Sequence, residues 1–335
     1  MKNIYKIILS TLLVFVVGFG VGYLVSFSKE NSILNKDLKN LHPIRLNSSS
    51  YKFINPLLVN ANVTANESTR FSGLKNKISD LINQEKSHGL NRASVFLSDL
   101  NQGEWIGVNE KEKYQPASMF KVVVMIAYFR GSEQVPGLLD KKLTYTKDID
   151  NLLKNIPLDD QTSLQVGSSY TIDELVNKMI VDSDNGAKDL LMNQIDASFF
   201  KSLFSILGLP PFNSDTQLLL SPRQYSLFFR LIYNATFLDG DLSEKALGLL
   251  SKTTFNDGLV AGVPAGTVVS HKFGLYDTTK NNQITDIQLH DCGIVYYKTT
   301  PYFLCVMTDG NNLTELQNTI KNISSLVYKN YQSNQ

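Results

Sequence analysis

The chain has 335 residues, with 32 basic against 31 acidic side chains and a formal charge of +1 at pH 7. That length supplies one large domain or two smaller ones, with ample material for a core. The balanced charge, with no basic stripe interleaved with aromatics, excludes a broad electrostatic attraction to nucleic acid.

The first element in chain order is a run from Ile7 to Phe27 with no charged residue. At about 1.5 Å per helical residue it is long enough to cross a hydrocarbon layer. Lys2 and Lys6 precede it, which by the positive-inside rule keeps the N-terminus cytoplasmic and sends the remainder outside. The flank YLVSFSKENS has no A-x-A-like cleavage site, so an uncleaved anchor over 1–27 is favoured over a cleaved signal peptide. Residues 28–70 are rich in Asn, Ser and Lys and read as an extracytoplasmic tether. The apolar island YKFINPLLV at 51–59 interrupts it and is expected to dock on the folded domain. N-x-[ST] matches such as Asn47, Asn62, Asn66 and Asn234 arise by chance in a chain this rich in Asn and Ser, and carry no reading.

From Phe71 the periodicity sharpens, and residues 71–335 read as the folded domain. Phe71, Leu74, Ile78, Leu81 and Ile82 share one face of a helix that stops near Gly89. ASVFLSDL and EWIGVNE flank an Asn101-Gln102-Gly103 turn and predict a hairpin. A buried helix follows Ser118. TIDELVNKMI opens with Thr171 and Glu174 in capping-box spacing, and SPRQYSLFFRLIYN opens with Ser221 as N-cap and Pro222 at N1. LSEKALGLLSKT is a further helix; strands return after Val268, and LTELQNTIKNISSLVYKNYQ closes the chain as a helix. Strands at both ends with helices between them give an α+β domain: one sheet built from both termini and a helical lobe inserted in the middle.

Cys292 and Cys305 lie on two strand-like runs that fold back near Lys298 to Pro301, at about the same height. An oxidising compartment permits a disulfide, but strain in cross-strand pairs favours two buried thiols.

The chemistry begins at PASMFKVVV. Serine is a poor nucleophile until a base takes its proton. On a helix, positions i and i+3 share a face, so the Lys121 amine can reach the Ser118 hydroxyl. The surrounding apolar helix keeps that lysine poorly solvated, and burial disfavours the charged ammonium. Alone, S-x-x-K also describes a helix N-cap with a snorkelling lysine. Two later segments add weight. DSDNG, with Ser183, Asp184 and Asn185, stands at the end of a capped helix, and GTVVSHKFGLYD places Lys272, Phe273 and Gly274 on a strand.

S-x-x-K, S-D-N and K-T-G in this order are the signature set of class A β-lactamases and penicillin-binding proteins. From about Phe71 to Tyr331 the chain resembles these penicillin-recognising serine enzymes, class A β-lactamases most closely, in the motifs and in the flanking text NEKEKYQPASMFKVVVMIAYF, SPRQYSLFFRLIYN and NDGLVAGVPAGTVVSHKFG. The resemblance implies a β-lactamase/transpeptidase-like fold and acylation of Ser118 by a β-lactam or a D-Ala-D-Ala-type peptidoglycan peptide. It gives Lys121 the part of base, Ser183 that of proton relay, and Asn185 a grip on the substrate's side-chain amide. Lys272 supplies positive charge for a carboxylate. Backbone N–H groups of Ser118 and Leu275 form an oxyanion hole, and Gly274 allows close approach of substrate. No cofactor and no metal is implied.

Two departures stand out. No glutamate occurs between Glu174 and Glu244, where the resembled enzymes carry the base that activates the deacylating water; only Asp215 in LGLPPFNSDTQLLLSPRQ offers a carboxylate. An acyl-enzyme is therefore expected to persist. Phe273 replaces a Thr or Ser, removing a hydroxyl whose charge-assisted hydrogen bond is worth about 1.5 to 3 kcal/mol. These departures are also what a non-catalytic cell-wall-binding module on the same fold would show; the intact Ser118, Lys121, Ser183 and Asn185 argue for the enzyme. His271 points away from Lys272 and reads as structural, His42, His88 and His290 have no metal-ligand spacing, and Trp105 and Tyr114 read as packing.

Overall fold

The computed structural model describes residues 44–45, 51–59, 67–147, 162–213, 216–280 and 283–333. The apolar run 7–27, most of the tether and Asp215 lie outside the described residues. Among the described residues no helix is long and apolar enough to cross a membrane.

In chain order the strands and α-helices are β1 (Ile44–Arg45), β2 (Leu57–Val59), α1 (Ser72–Glu85), β3 (Leu90–Asp99), β4 (Trp105–Val108), α2 (Lys121–Gln134), β5 (Lys142–Thr144), β6 (Ser169–Thr171), α3 (Ile172–Val181), α4 (Asn185–Met192), α5 (Ala197–Ile206), α6 (Pro222–Tyr233), α7 (Gly240–Leu250), β7 (Val269–Lys280), β8 (Gln283–Val295), β9 (Tyr302–Gly310) and α8 (Leu313–Ser333). Both expected capping signals are present. Thr171 and Glu174 close a capping box on α3, and Ser221 caps α6 with Pro222 at its first turn, joined by Gln224 in a second box.

Five strands form one antiparallel sheet in the order β4-β3-β9-β8-β7. Side chains alternate between its faces with the strand period of two. Val95, Leu97, Leu304 and Val306 pack with Leu74 and Ile78 of α1 and Ile320 and Ile323 of α8. Phe96, Phe303, Cys305 and Met307 face the other way, onto the lobe built from α2 to α7. The centre of that lobe is α2, in which every residue from Lys121 to Phe129 is buried. A helical stretch with no polar face toward solvent must be enclosed, and only the last turn of α2, from Arg130, reaches the surface.

Cys292 and Cys305 are joined in a disulfide, which corrects the expectation of two thiols. The reason is register: they stand directly opposite one another in the β8–β9 ladder, both on the face toward the helical lobe. Cys292 is also the register partner of Lys272 on β7.

The island at 51–59 lies against the domain. Ile54 joins the lobe core, and the Phe53 ring meets Tyr296 edge-on at 5.6 Å. Glu244 on α7 gathers its backbone: one carboxylate oxygen accepts from Lys52 N at 2.7 Å, the other from Phe53 N at 2.9 Å and Ile54 N at 3.1 Å. Arg45 donates to the carbonyls of Asn55 and Leu100, so the strap bridges the helical lobe and the β3–β4 turn. Replacing Glu244 with Ala strands three N–H donors around a lost charge. We expect a loss of about 2 kcal/mol in urea unfolding of the full-length protein, the scale of a charge-assisted hydrogen bond.

Candidate active site

Ser118 sits in the 3-10 turn Ala117–Phe120, which runs directly into α2, so Lys121 is the first residue of a helix whose stretch 121–129 is buried throughout. Both residues are buried, Lys121 with 1 % of its surface exposed. The turn is tied at both ends. Met119 N bonds to Pro116 O at 3.0 Å, and the hydroxyl of Tyr225 on α6 donates to Met119 O at 2.9 Å. Ala117 holds a φ of +48°, a left-handed conformation that costs a non-glycine residue on the order of 1–2 kcal/mol and persists only where its surroundings enforce it.

Ser183 lies in the turn between α3 and α4, with a φ of +58°. This conformation turns both its carbonyl and its hydroxyl onto Lys121. The Lys121 amine reaches Ser183 O, Ser183 Oγ at 3.0 Å and Asn185 Oδ1 at 2.7 Å. From the other side the Lys272 amine reaches Ser183 Oγ at 2.9 Å. One hydroxyl therefore stands between two buried amines that are 151 positions apart in the chain, 121 and 272. Asp184, between the two contact residues, faces elsewhere. Its carboxylate caps α4 through Ala187 N at 2.8 Å and accepts from Thr162 Oγ1, Ser163 N and Ser163 Oγ at 2.9, 2.6 and 3.0 Å. That buried carboxylate locks the turn from behind.

Lys272 is on β7, the outer strand of the sheet, and is wholly buried. Phe273 stacks on Phe255 with ring centroids 4.3 Å apart, and the Lys272 amine lies 4.2 Å from the Phe273 ring centroid. The residue at 273 thus contributes an aromatic wall beside the cation. Gly274 explains how β7 approaches the serine turn: a Cβ there would lie 2.4 Å from Pro116 O and 3.0 Å from Met119 Cγ. Leu275, half-buried, pairs with Leu289 of β8. Ser118, Lys121, Ser183, Asn185, Lys272 and Gly274 are brought to one place, where strand β7, the 117–120 turn and the 183–185 turn meet.

The remaining polar residues are accounted for by packing. His271 faces the other side of β7 and bonds through Nδ1 to Asp291 Oδ1 at 2.8 Å, while Asp291 Oδ2 accepts from Leu259 N at 2.8 Å. Trp105 lies under the guanidinium of Arg223 and beside Phe96, and the Tyr114 hydroxyl pairs with Ser94 Oγ at 2.9 Å. Among the described residues no group of three or more His, Cys, Asp or Glu side chains could hold a metal ion. Glu244, the first glutamate after the gap, is occupied with the 52–54 backbone. Tyr225, Gln288 and His290 carry no local sequence signal, because the groups they hold near the serine turn lie more than 100 positions away.

His290 is wholly enclosed, and burial pushes its pKa down to about 4, with the Arg92 charge acting in the same direction. The hydrogen bonds at Gln115 and Leu289 and the Asp309 charge oppose the shift without reversing it.

A sheet with helices on both faces and these polar residues at its outer strand define an α/β fold of the β-lactamase/transpeptidase type. The comparisons agree. The chain matches the β-lactamase enzyme family over residues 73–331 and belongs to that family. Among solved structures, PBP-A superposes with a TM-score of 0.66 at 21 % identity, covering 78 % of this chain and 97 % of that one. A class A β-lactamase from Mycobacterium abscessus gives 0.66 at 22 %, covering 77 % and 99 %. β-Lactamase L2 of Stenotrophomonas maltophilia is 31 % identical over 120 residues, which is 36 % of this chain and 34 % of that protein. The chain thus spans about a third of the length of this curated relative.

Two outcomes follow from the geometry. Gly274→Ala drives a methyl group into the Pro116 carbonyl, an overpacking that typically costs about 1–3 kcal/mol; thermal melting will show the loss. For His290, a folded pKa of about 4 lies below the ordinary value of 6.5. The unfolded chain therefore binds the extra proton between those values. The associated stability is fully present above about pH 6.5 and declines as pH falls toward 4, by on the order of 3 kcal/mol. Urea titrations across that range will show the slope, and His290→Gln will flatten it.

Proposed function

We propose that the protein is a serine acyl-enzyme that reacts through Ser118 with a β-lactam or a D-Ala-D-Ala-type peptide and releases the product slowly. The observation that carries this reading is the Ser183 hydroxyl held between the Lys121 and Lys272 amines at 3.0 and 2.9 Å. A hydroxyl so placed can pass a proton along a line of hydrogen bonds. Lys272 donates to Ser183 Oγ, leaving the Ser183 proton free to point at Lys121 or at a departing nitrogen. The family assignment supports serine hydrolase chemistry. A PBP-A variant of the same fold has been captured as an acyl-enzyme with penicillin G.

In the acylation step Ser118 Oγ attacks the substrate carbonyl carbon as its proton passes to Lys121. The oxyanion is held by backbone N–H groups of Ser118 and Leu275, where one donor is worth roughly 3–4 kcal/mol. The carbonyl–nitrogen bond then breaks, and the nitrogen takes a proton through Ser183. Asn185 positions the substrate's side-chain amide and Lys272 attracts its carboxylate; Phe273 offers that carboxylate no hydroxyl. Slow deacylation rests on the sequence between Glu174 and Glu244, which supplies no glutamate to activate water. The reaction takes place outside the cell, with the run 7–27 as membrane anchor.

The test is intact-protein mass spectrometry of the full-length chain after addition of benzylpenicillin. We expect a covalent adduct that survives for many minutes in the parent and is lost in Ser118→Ala. An adduct on the Ser118→Ala protein would remove Ser118 from the mechanism, and rapid recovery of unmodified enzyme with opened drug would replace slow release with turnover.

A further inference from the structure

Gln115, three residues before Ser118, has both of its backbone polar groups held by side chains of β8. Its N–H donates to Gln288 Oε1 at 3.1 Å, and its carbonyl accepts from His290 Nε2 at 3.0 Å. Positions 288 and 290 are two apart on a strand and project from the same face. A stretch of chain that belongs to no strand is thus gripped at donor and acceptor alike, as a ladder partner would be.

Each gripping side chain is itself fixed. Gln288 Nε2 donates to Asp309 Oδ2 at 3.4 Å, and Asp309 also accepts from Asn91 and Arg92. The other nitrogen of His290, Nδ1, accepts from Thr308 N at 3.3 Å. A carbonyl only accepts and a backbone N–H only donates, so these two partners define a neutral imidazole with its proton on Nε2. The Tyr114 ring stands edge-on to the imidazole at 5.2 Å and holds its plane.

We propose that Gln288 and His290 act as a side-chain clamp that sets the position of the 116–120 turn, and with it the Ser118 hydroxyl and N–H, against β7. They are positioning residues for acylation, a role that rests on the acyl-enzyme reading above. The clamp is needed because the turn is under constraint from both sides. Ala117 is strained at φ +48°, and Pro116 O lies where a Cβ on Gly274 would come within 2.4 Å. A small outward drift of residue 115 would relax both constraints and withdraw the serine from the Lys121–Ser183–Lys272 group. Protonating His290 would destroy the acceptor at Nδ1, and its pKa of about 4 keeps the clamp in its neutral form at ordinary pH.

The test compares full-length His290→Phe, which keeps the ring but has no donor, with His290→Gln, which restores an N–H, and Gln288→Leu at the half-buried neighbour. Two readouts are taken: hydrogen–deuterium exchange of the 114–120 fragment, and the rate of covalent labelling by a fluorescent penicillin. We expect His290→Phe to raise exchange of that fragment and slow labelling by about tenfold each, the equivalent of one hydrogen bond. Gln288→Leu should give a smaller change in the same sense, and His290→Gln should stay within about threefold of the parent. Parental exchange in both His290→Phe and Gln288→Leu, or a His290→Gln protein as loose as His290→Phe, overturns the clamp. Should His290→Phe fail to fold, Gln288→Leu decides by the same two readouts. A parent that takes no label refutes the acyl-enzyme reading, and the exchange pattern then decides the clamp by itself.

Discussion

A lysine opening a helical stretch, 121–129, in which every residue is buried is the constraint around which the site is organised. An ammonium or amine in that environment loses its water and must recover hydrogen bonds from the protein. The 183–185 turn supplies them, through one carbonyl, one hydroxyl and one side-chain amide oxygen. Ser183, held at φ +58°, turns its carbonyl and its hydroxyl toward the same amine. Asp184, often read as part of a chemical motif, works on the opposite side, capping α4 and tying down residues 162 and 163. The S-D-N turn is thus the solvation shell of Lys121 made permanent.

The second constraint is the approach of the outer strand to the serine turn. β7 can lie against Pro116 and Met119 only because residue 274 has no side chain. That closeness brings Lys272 over Ser183 and joins the sheet to the helical lobe at the site. Behind the strand, the disulfide between Cys292 and Cys305 links β8 to β9 beside the register position of Lys272. The N-terminal strap adds a tie from outside the family match: residues 52–54 are fastened to α7 by Glu244, and Phe53 meets Tyr296 after β8. Cross-links at several heights hold two lobes with separate cores in one arrangement.

The departures from the family pattern acquire physical content in this setting. Phe273 is part of an aromatic pair with Phe255, and its ring lies against the Lys272 amine, so the cation is shielded on the side where a hydroxyl is missing. The absent glutamate is not replaced by Glu244, whose carboxylate is saturated with backbone donors far along the chain from the serine turn.

Much of this was legible in the sequence because it is written in short-range chemistry. Capping boxes at Thr171 and Ser221, the apolar helix after Ser118 and the three ordered motifs all act within a few residues, where spacing fixes which side chains share a face. Sequence position also placed the two cysteines at one height, but not whether they are joined; that depends on the register of β8 with β9. What only the tertiary structure decided are the contacts between distant segments: Lys272 on Ser183, Tyr225 on Met119, Glu244 on the 52–54 backbone, and His290 and Gln288 on Gln115. Such pairs leave no periodic trace, because each partner satisfies a hydrogen-bonding need that arises only after the chain has closed around it and excluded water.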